Sequence, residues 1–505
     1  MSETTDIFII GGGINGAGIA RDAAGRGQKV ALVEQTDLGG ATSSASSKLI
    51  HGGLRYLENY EFRLVRESLL ERETLWKIAP HLITPLRFIL PHHKGLRPAF
   101  ILRLGLFLYD YIGGRKLLPP TKRLNLLKDN IGTCLRDDLT IGFEYSDCWV
   151  DDARLVVLNA LSAAEMGAKI LTRHTFLGAV QKNGLWNIDV KTPDGSIKNY
   201  TAKVLINASG PWVDKSLNAC NIGQKNTPTV RLIKGSHIIV PKLHDDNRAL
   251  TFQHADGRVV FAIPYQKKYT LIGTTDTPFE ADPRNVKADS DEIKYLCEIA
   301  SEYFKKTIIP SDVVWTYSGV RPLYDDGAKN ASKATRDYVL DLIGEQSKAP
   351  LLNIYGGKVT TYRCLAEEAL EKVSPYIDLE KDSWTADTAL PGGDLPGRQD
   401  PAKALNSYIE KIVEDYPWLD QATCIRMACA YGTRLEKMMI GVSSLNDMGQ
   451  HFGAGLYAKE INYLINEEWA KTAEDILWRR TKLGLHMSEQ ERETVAAHIQ
   501  QQSQT

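Results

Sequence analysis

The chain lacks any uninterrupted apolar run of the roughly 18 residues that a spanning helix needs, so no single segment is expected to cross a bilayer. Cysteine is scarce. Seven are present, at 134, 148, 220, 297, 364, 424 and 429, and none forms C-x-x-C. An odd, scattered set excludes a disulfide framework and a zinc ribbon, and a reducing compartment is expected. Neither sign of charge dominates: 61 Lys+Arg stand against 62 Asp+Glu, net -1. That balance excludes a nucleic-acid-binding polycation. The first residues are polar and acidic, with no basic n-region, which predicts no signal peptide. No fixed-period repeat and no EF-hand loop is found. What is there is length: 505 residues, enough for about two to four domains with ample core.

The organising stretch is Asp6 to Glu34. Ile7 to Ile10 reads as a short buried strand. Gly11, Gly13 and Gly16 follow at G-x-G-x-x-G spacing, a helical pattern runs on from them, and Lys29 to Val33 reads as a second strand ending at Glu34. Gly11 permits the tight turn, Gly13 lets backbone approach a pyrophosphate, and Gly16 lets helix pack on strand. The helix N-terminus, with Ile14 and Asn15 in its first turn, then faces the phosphate charge. Glu34 lies near the position of a ribose-binding acid; it would repel a 2′-phosphate, which disfavours an NADP-type ligand. Strand, helix, strand and acid together specify a dinucleotide site better than the glycines alone.

Beyond Glu34, Ala41 to Lys48 is dense in small hydroxyl residues. It reads as a loop that can cover a pyrophosphate and flavin with short donors: Thr42, Ser43, Ser44, Ser47, Lys48 and the following Leu49. His51-Gly52-Gly53-Leu54-Arg55-Tyr56 mixes His, Arg and Tyr with a glycine pair. Residues 91–128 carry eight basic residues and one acid, Asp110, around the nearly apolar Phe100 to Ile112. Two readings stand: an interfacial segment lying on anionic lipid, or a buried helix with a basic flank. Val204 to Trp212 is a strand running into a small-residue turn, either one that brings Ala208 and Gly210 back toward the cofactor or a plain strand-to-turn junction. Residues 231–275 lack strand–helix alternation and predict a mixed or antiparallel sheet. Leu351 to Tyr355, then Gly356-Gly357-Lys358-Val359-Thr360, is a second strand–turn–helix unit, suited to stabilising charge on a reduced flavin. After a Pro/Gly boundary at 390–397 the pattern is helical.

These segments resemble the FAD-dependent, respiratory glycerol-3-phosphate dehydrogenases of bacteria. The carriers are Ile9 to Gly27, Ala41 to Glu58, Phe143 to Leu155, Leu232 to Ile238, Ile272 to Asp276, Trp315 to Leu323, Thr335 to Tyr338, Gly356 to Arg363 and Ala473 to Leu485. Ser209 stands where Thr is expected. The resemblance implies an α/β fold: a Rossmann-like FAD-binding domain (1–90 with 143–230 and 335–388), a mixed or antiparallel-sheet substrate-binding and membrane-facing region (91–142 and 231–334), and an all-α C-terminal domain (389–505). It implies noncovalent FAD, no metal, oxidation of sn-glycerol 3-phosphate to dihydroxyacetone phosphate by hydride transfer to flavin N5, and electrons passed to ubiquinone. It also implies a peripheral homodimer on the cytoplasmic face of the inner membrane, with a cytoplasmic pool, and so favours the interfacial reading of residues 91–128.

A phosphate dianion taken out of bulk water needs several cations. Arg55, Arg321, Arg336 and Lys358 are the candidates, with Tyr56 orienting the substrate. His51 is the candidate base, its imidazole titrating nearest neutrality. With Arg55, Arg321 and Lys358 it makes the expected catalytic set. The cofactor set is Gly11, Gly13, Ile14, Asn15, Gly16, Glu34, the loop residues named above, Ala208, Gly210, Gly357, Lys358 and Thr360. Asp276 reads as structural. The competing readings are a flavin oxidase of a 2-hydroxy acid or amino acid using oxygen, a flavin-binding scaffold without turnover, and an NAD-dependent dehydrogenase.

Overall fold

A computed structural model describes residues 3–502 apart from 94, 115, 221–229, 255–256, 326–336 and 345–348; the side chains of 55, 58 and 59 also lie outside the described set. Two sheets organise it. The first runs Val339–Ile343, Leu351–Tyr355, Ile197–Asn207, Glu3–Ile10, Val30–Glu34, Lys169–Thr172. The last five of these strands are mutually parallel. Parallel strands are covered on both faces, which is why Ile7 to Ile10 reads as a continuous apolar run. Ile7 and Ile9 pack against helices Ile14–Gly25, Asp152–Glu165 and Tyr362–Val373. Phe8 and Ile10 face the other way, under Trp186, Ile188 and Val190 of an antiparallel ribbon. Each fully buried side chain of this kind contributes about 1.5–3 kcal/mol.

The second sheet has ten strands. Val230–Pro241 pairs antiparallel with both Tyr269–Gly273 and Trp315–Tyr324. The ladder continues through Val259–Tyr265 and Ala249–Gln253 to Ile83–His92 and Ile141–Val150. One parallel pair, Ala249–Gln253 on Ile83–His92, makes the sheet mixed. Residues 83–90 and 143–150, assigned from sequence to the nucleotide-binding part, hydrogen-bond here instead. Their ten-residue pairing is hidden in the sequence by the long insertion between them.

That insertion carries helix Ala99–Ile112. Leu102, Leu106, Tyr109 and Asp110 face inward, while Phe100, Leu104, Phe107 and Tyr111 are 55–73% exposed. No helix among the described residues is long and apolar enough to cross a membrane. The C-terminal part is helical around its own core of Met427, Tyr431, Leu435, Ile461 and Leu464. Within it Ala458–Glu467 is a regular α-helix, and Asp475–Arg480 forms a π-helical turn, wound wider than an α-helix.

Candidate functional site

The first glycine turn is built as its spacing requires. Gly11 has φ +108°, and a Cβ there would sit 2.5 Å from the Ala208 carbonyl oxygen. A Cβ on Gly16 would lie 2.0 Å from the Gly11 carbonyl oxygen. Helix Ile14–Gly25 begins with no side-chain cap on itself; instead the Ile14 N–H donates to Ser43 Oγ at 2.9 Å. The 42–48 loop is thereby pinned over the turn. Glu34 accepts from the Gly12 N–H at 2.8 Å and from the Thr36 N–H at 2.7 Å. Burial pushes its carboxyl above the ordinary range, and those bonds oppose the rise.

The second glycine turn docks on the first. Asn15 Nδ2 donates to the Gly356 carbonyl at 3.2 Å. Gly357, at φ +100°, comes so close that a Cβ would meet Asn15 Nδ2 at 2.8 Å. Thr360 Oγ1 accepts from the His51 N–H at 3.3 Å, which fixes the His51 main chain beside Lys358. From the other side Gly52 N–H donates to Tyr109 Oη at 2.8 Å, and Tyr109 donates to Asp147. Both turns, the hydroxyl loop and the His51 segment open onto one cavity of about 1110 Å³.

Every cofactor residue expected from the sequence lines this cavity except Gly16, which lies behind the turn. Lys48 has a further task. Its buried ammonium bonds both Asp152 oxygens at 3.0 Å and the Ser44 carbonyl at 3.0 Å, holding the loop shut. Of the substrate candidates, His51, Tyr56, Arg321 and Lys358 share the cavity wall. The Lys358 ammonium lies over the Tyr56 ring, 3.9 Å from its centroid. It is buried with no well-formed hydrogen bond among the described residues. Burial holds its pKa below the ordinary lysine value, with Tyr56 opposing. Arg321 donates to Asp276 Oδ1 at 2.6 Å and to the Thr275 carbonyl at 2.9 Å. Asp276, read as structural, is thus the group that aims Arg321. Arg336 and the Arg55 side chain lie outside the described residues.

His237 was not singled out from sequence, although it lies in the Leu232 to Ile238 segment. It lines the same cavity, shares a hydrogen bond between Nε2 and Ser47 Oγ at 2.8 Å, and stacks on Tyr317 at 4.7 Å. Burial, then the charges of Lys48 and Arg321, push its pKa down to about 3, so the ring is neutral. The signal was a lone His in a strand of apolar neighbours, which packing explains equally well.

The residues present fit FAD: bare glycine backbone for a pyrophosphate, an acid for a ribose, a roomy cavity, and a buried ammonium on its wall. Such a cradle opening onto a cation-bearing pocket defines a flavin-dependent oxidoreductase. The chain belongs to the FAD dependent oxidoreductase family, which residues 6–362 match, and residues 383–504 match the C-terminal domain of alpha-glycerophosphate oxidase. More particularly, it is 47% identical over 500 residues to a glycerol-3-phosphate dehydrogenase of Pseudomonas aeruginosa, covering 99% of this chain and 96% of that one. It is 49% identical over 493 residues to a D-erythritol 1-phosphate dehydrogenase of Brucella abortus, covering 97% and 96%. Among solved structures, the glycerol-3-phosphate dehydrogenase of Bacillus halodurans complexed with FAD superposes with a TM-score of 0.76 at 26% identity, covering 99% of this chain and 94% of that one.

Proposed function

We propose that this chain oxidises the secondary alcohol of sn-glycerol 3-phosphate to dihydroxyacetone phosphate and delivers the electrons to a membrane quinone, ubiquinone. The observation that carries the reading is the gathering, on one cavity wall, of the buried Lys358 ammonium with His51, Tyr56 and Arg321 beside the dinucleotide cradle. A buried cation with no anionic partner among the described residues is costly unless a ligand supplies the anion. Lys358 and Arg321 bind the phosphate, and Tyr56, under the Lys358 ammonium, bounds the pocket. His51, its main chain fixed by Thr360, takes the hydroxyl proton. Bound FAD supplies the hydride acceptor. Arg55 and Arg336 belong to the same proposed anion site.

A second reading rests on the Brucella relative: D-erythritol 1-phosphate presents the same terminal phosphate on a longer polyol. Anaerobic mixing of the FAD-loaded protein with each compound separates them, followed at the flavin absorbance. Fast bleaching by glycerol 3-phosphate, and slow or none by D-erythritol 1-phosphate, glycerol, lactate or amino acids, is expected. Faster bleaching by the erythritol ester would replace the first reading, and bleaching only by an amino or hydroxy acid would overturn both.

The membrane-facing part of the reading rests on helix Ala99–Ile112. Phe100, Leu104, Phe107 and Tyr111 form one exposed apolar face, and Arg97, Arg103, Lys116, Arg123 and Lys128 of the same insertion are exposed. Apolar side chains in the headgroup region with Lys/Arg near anionic lipid is the monotopic arrangement. Attachment to the cytoplasmic face of the inner membrane, with a cytoplasmic pool, belongs to this proposal, as does a homodimer.

A further inference from the structure

We propose that the C-terminal block around Arg479 and Arg480 is a positioning element for the flavin-binding loop, so that retention of FAD depends on a contact made about 440 residues further along the chain. The loop between Glu34 and Lys48 supplies main chain to the cavity at Thr36, Gly39 and Gly40. Among these residues sits Asp37, whose side chain is 1% exposed and points away from the cavity.

Asp37 is held entirely from the C-terminal part. Arg480 presents a fork, Nη1 to Oδ2 at 2.5 Å and Nη2 to Oδ1 at 2.8 Å, and Arg479 Nε adds a bond to Oδ2 at 2.7 Å. Both arginines come from the π-helical turn Asp475–Arg480, and π-turns recur at functional positions. Arg480 is anchored in turn by the Glu468 carbonyl at 2.7 Å. A second contact comes through Arg173, which donates to Asp475 at 2.6 Å while its N–H donates to the Thr36 carbonyl at 2.9 Å. At the far end of the loop Lys482 pairs with Asp151, the neighbour of the Asp152 that bonds Lys48 and Ser46.

A carboxylate this buried is tolerable only while paired. If the arginines withdraw, Asp37 must turn to water, and Thr36 and Gly39 move with it. Gly39 N–H donates to the Gly12 carbonyl at 2.9 Å, so the displacement reaches the first glycine turn. Leu477, Trp478 and Arg479 of the block also line the cavity, whereas Asp37 and Arg480 do not, so the Asp37 and Arg480 variants isolate the action that runs through the loop.

The test compares full-length, FAD-loaded variants. After dilution, FAD release is followed by the rise in free-flavin fluorescence, and unfolding midpoints are measured in parallel. Asp37→Asn and Arg480→Lys are expected to release FAD about tenfold faster or more, the scale of losing charge-assisted bonds, with KM for the substrate unchanged. Arg426→Lys is the control. It weakens the Arg426–Glu460 pair inside the same helical part, at 2.6 Å, and Arg426 makes no hydrogen bond to the 34–48 loop among the described residues. It should lower the unfolding midpoint and leave the release rate within about twofold. Arg479→Lys, whose side chain is 12% exposed, is a milder change that keeps the test open should the buried variants not fold; it too should release FAD faster. Release rates at the wild-type value in the Asp37 and Arg479 variants, or an equal acceleration in Arg426→Lys, would overturn the proposal.

Discussion

Replacing Lys358 by methionine should move substrate capture and stability in opposite directions. The Lys358 ammonium is buried, lies 3.9 Å from the Tyr56 ring centroid, and has no well-formed hydrogen bond among the described residues. A hydrogen bond from such a cation to a phosphate is worth about 1.5–3 kcal/mol, so kcat/KM for a phosphorylated polyol should fall roughly 10- to 150-fold. Methionine has similar volume and no charge to desolvate, so the substrate-free holoenzyme should be as stable as wild type or more stable by about 1 kcal/mol. The pH dependence carries the sign. Burial sets the folded pKa below the ordinary 10.5. The unfolded chain therefore binds the proton first as pH falls from 10.5, and the folded state loses stability until its own lowered pKa is passed. The stability gap between variant and wild type should thus narrow as pH rises toward 10.5. Steady-state kinetics with glycerol 3-phosphate and urea unfolding at several pH values read both effects. A change in kcat/KM below about threefold, or a variant clearly less stable than wild type, would refute the argument.

Three further outcomes are expected. Gly16→Ala puts a Cβ 2.0 Å from the Gly11 carbonyl oxygen; with main chain as the obstacle it should cost about 1–3 kcal/mol of stability and yield protein without flavin, read as loss of the flavin absorbance of the purified protein. His51→Ala should slow anaerobic flavin reduction about 100-fold or more while substrate binding changes little, and unchanged reduction kinetics would remove His51 from the chemistry. Leu104→Glu with Phe107→Glu should abolish sedimentation with anionic vesicles yet keep activity toward a soluble dye; vesicle binding at the wild-type level would refute the docking face.

Local pattern made much of this legible. Ile7 to Ile10, the three glycines and Glu34 act within a few dozen residues, and each has a steric or electrostatic reason to be what it is. The second glycine turn was legible for the same cause. Its docking on the first was not, because nothing near Asn15 signals Gly356. That residues 83–90 and 143–150 pair with each other in the second sheet was not legible, since a local pattern does not say which sheet a segment joins. Asp276 reads from sequence as structural and His237 goes unweighed, because the meaning of both lies in what packs against them. Lys48 was read as a cofactor donor, but its Asp152 partner, 104 residues away, gives it the second task of closing the loop.

The bond from Asn15 to Gly356 spans 341 positions of chain. At a synthesis rate of about 5–20 residues per second, roughly 20–70 s separate the two glycine turns as they leave the ribosome. Through that interval the nascent protein carries a half-built cradle that lacks the second glycine turn and the helix Tyr362–Val373 behind it. Flavin uptake is therefore a late event in biogenesis, and a cell short of riboflavin would accumulate finished chains awaiting their chromophore rather than stalled ones.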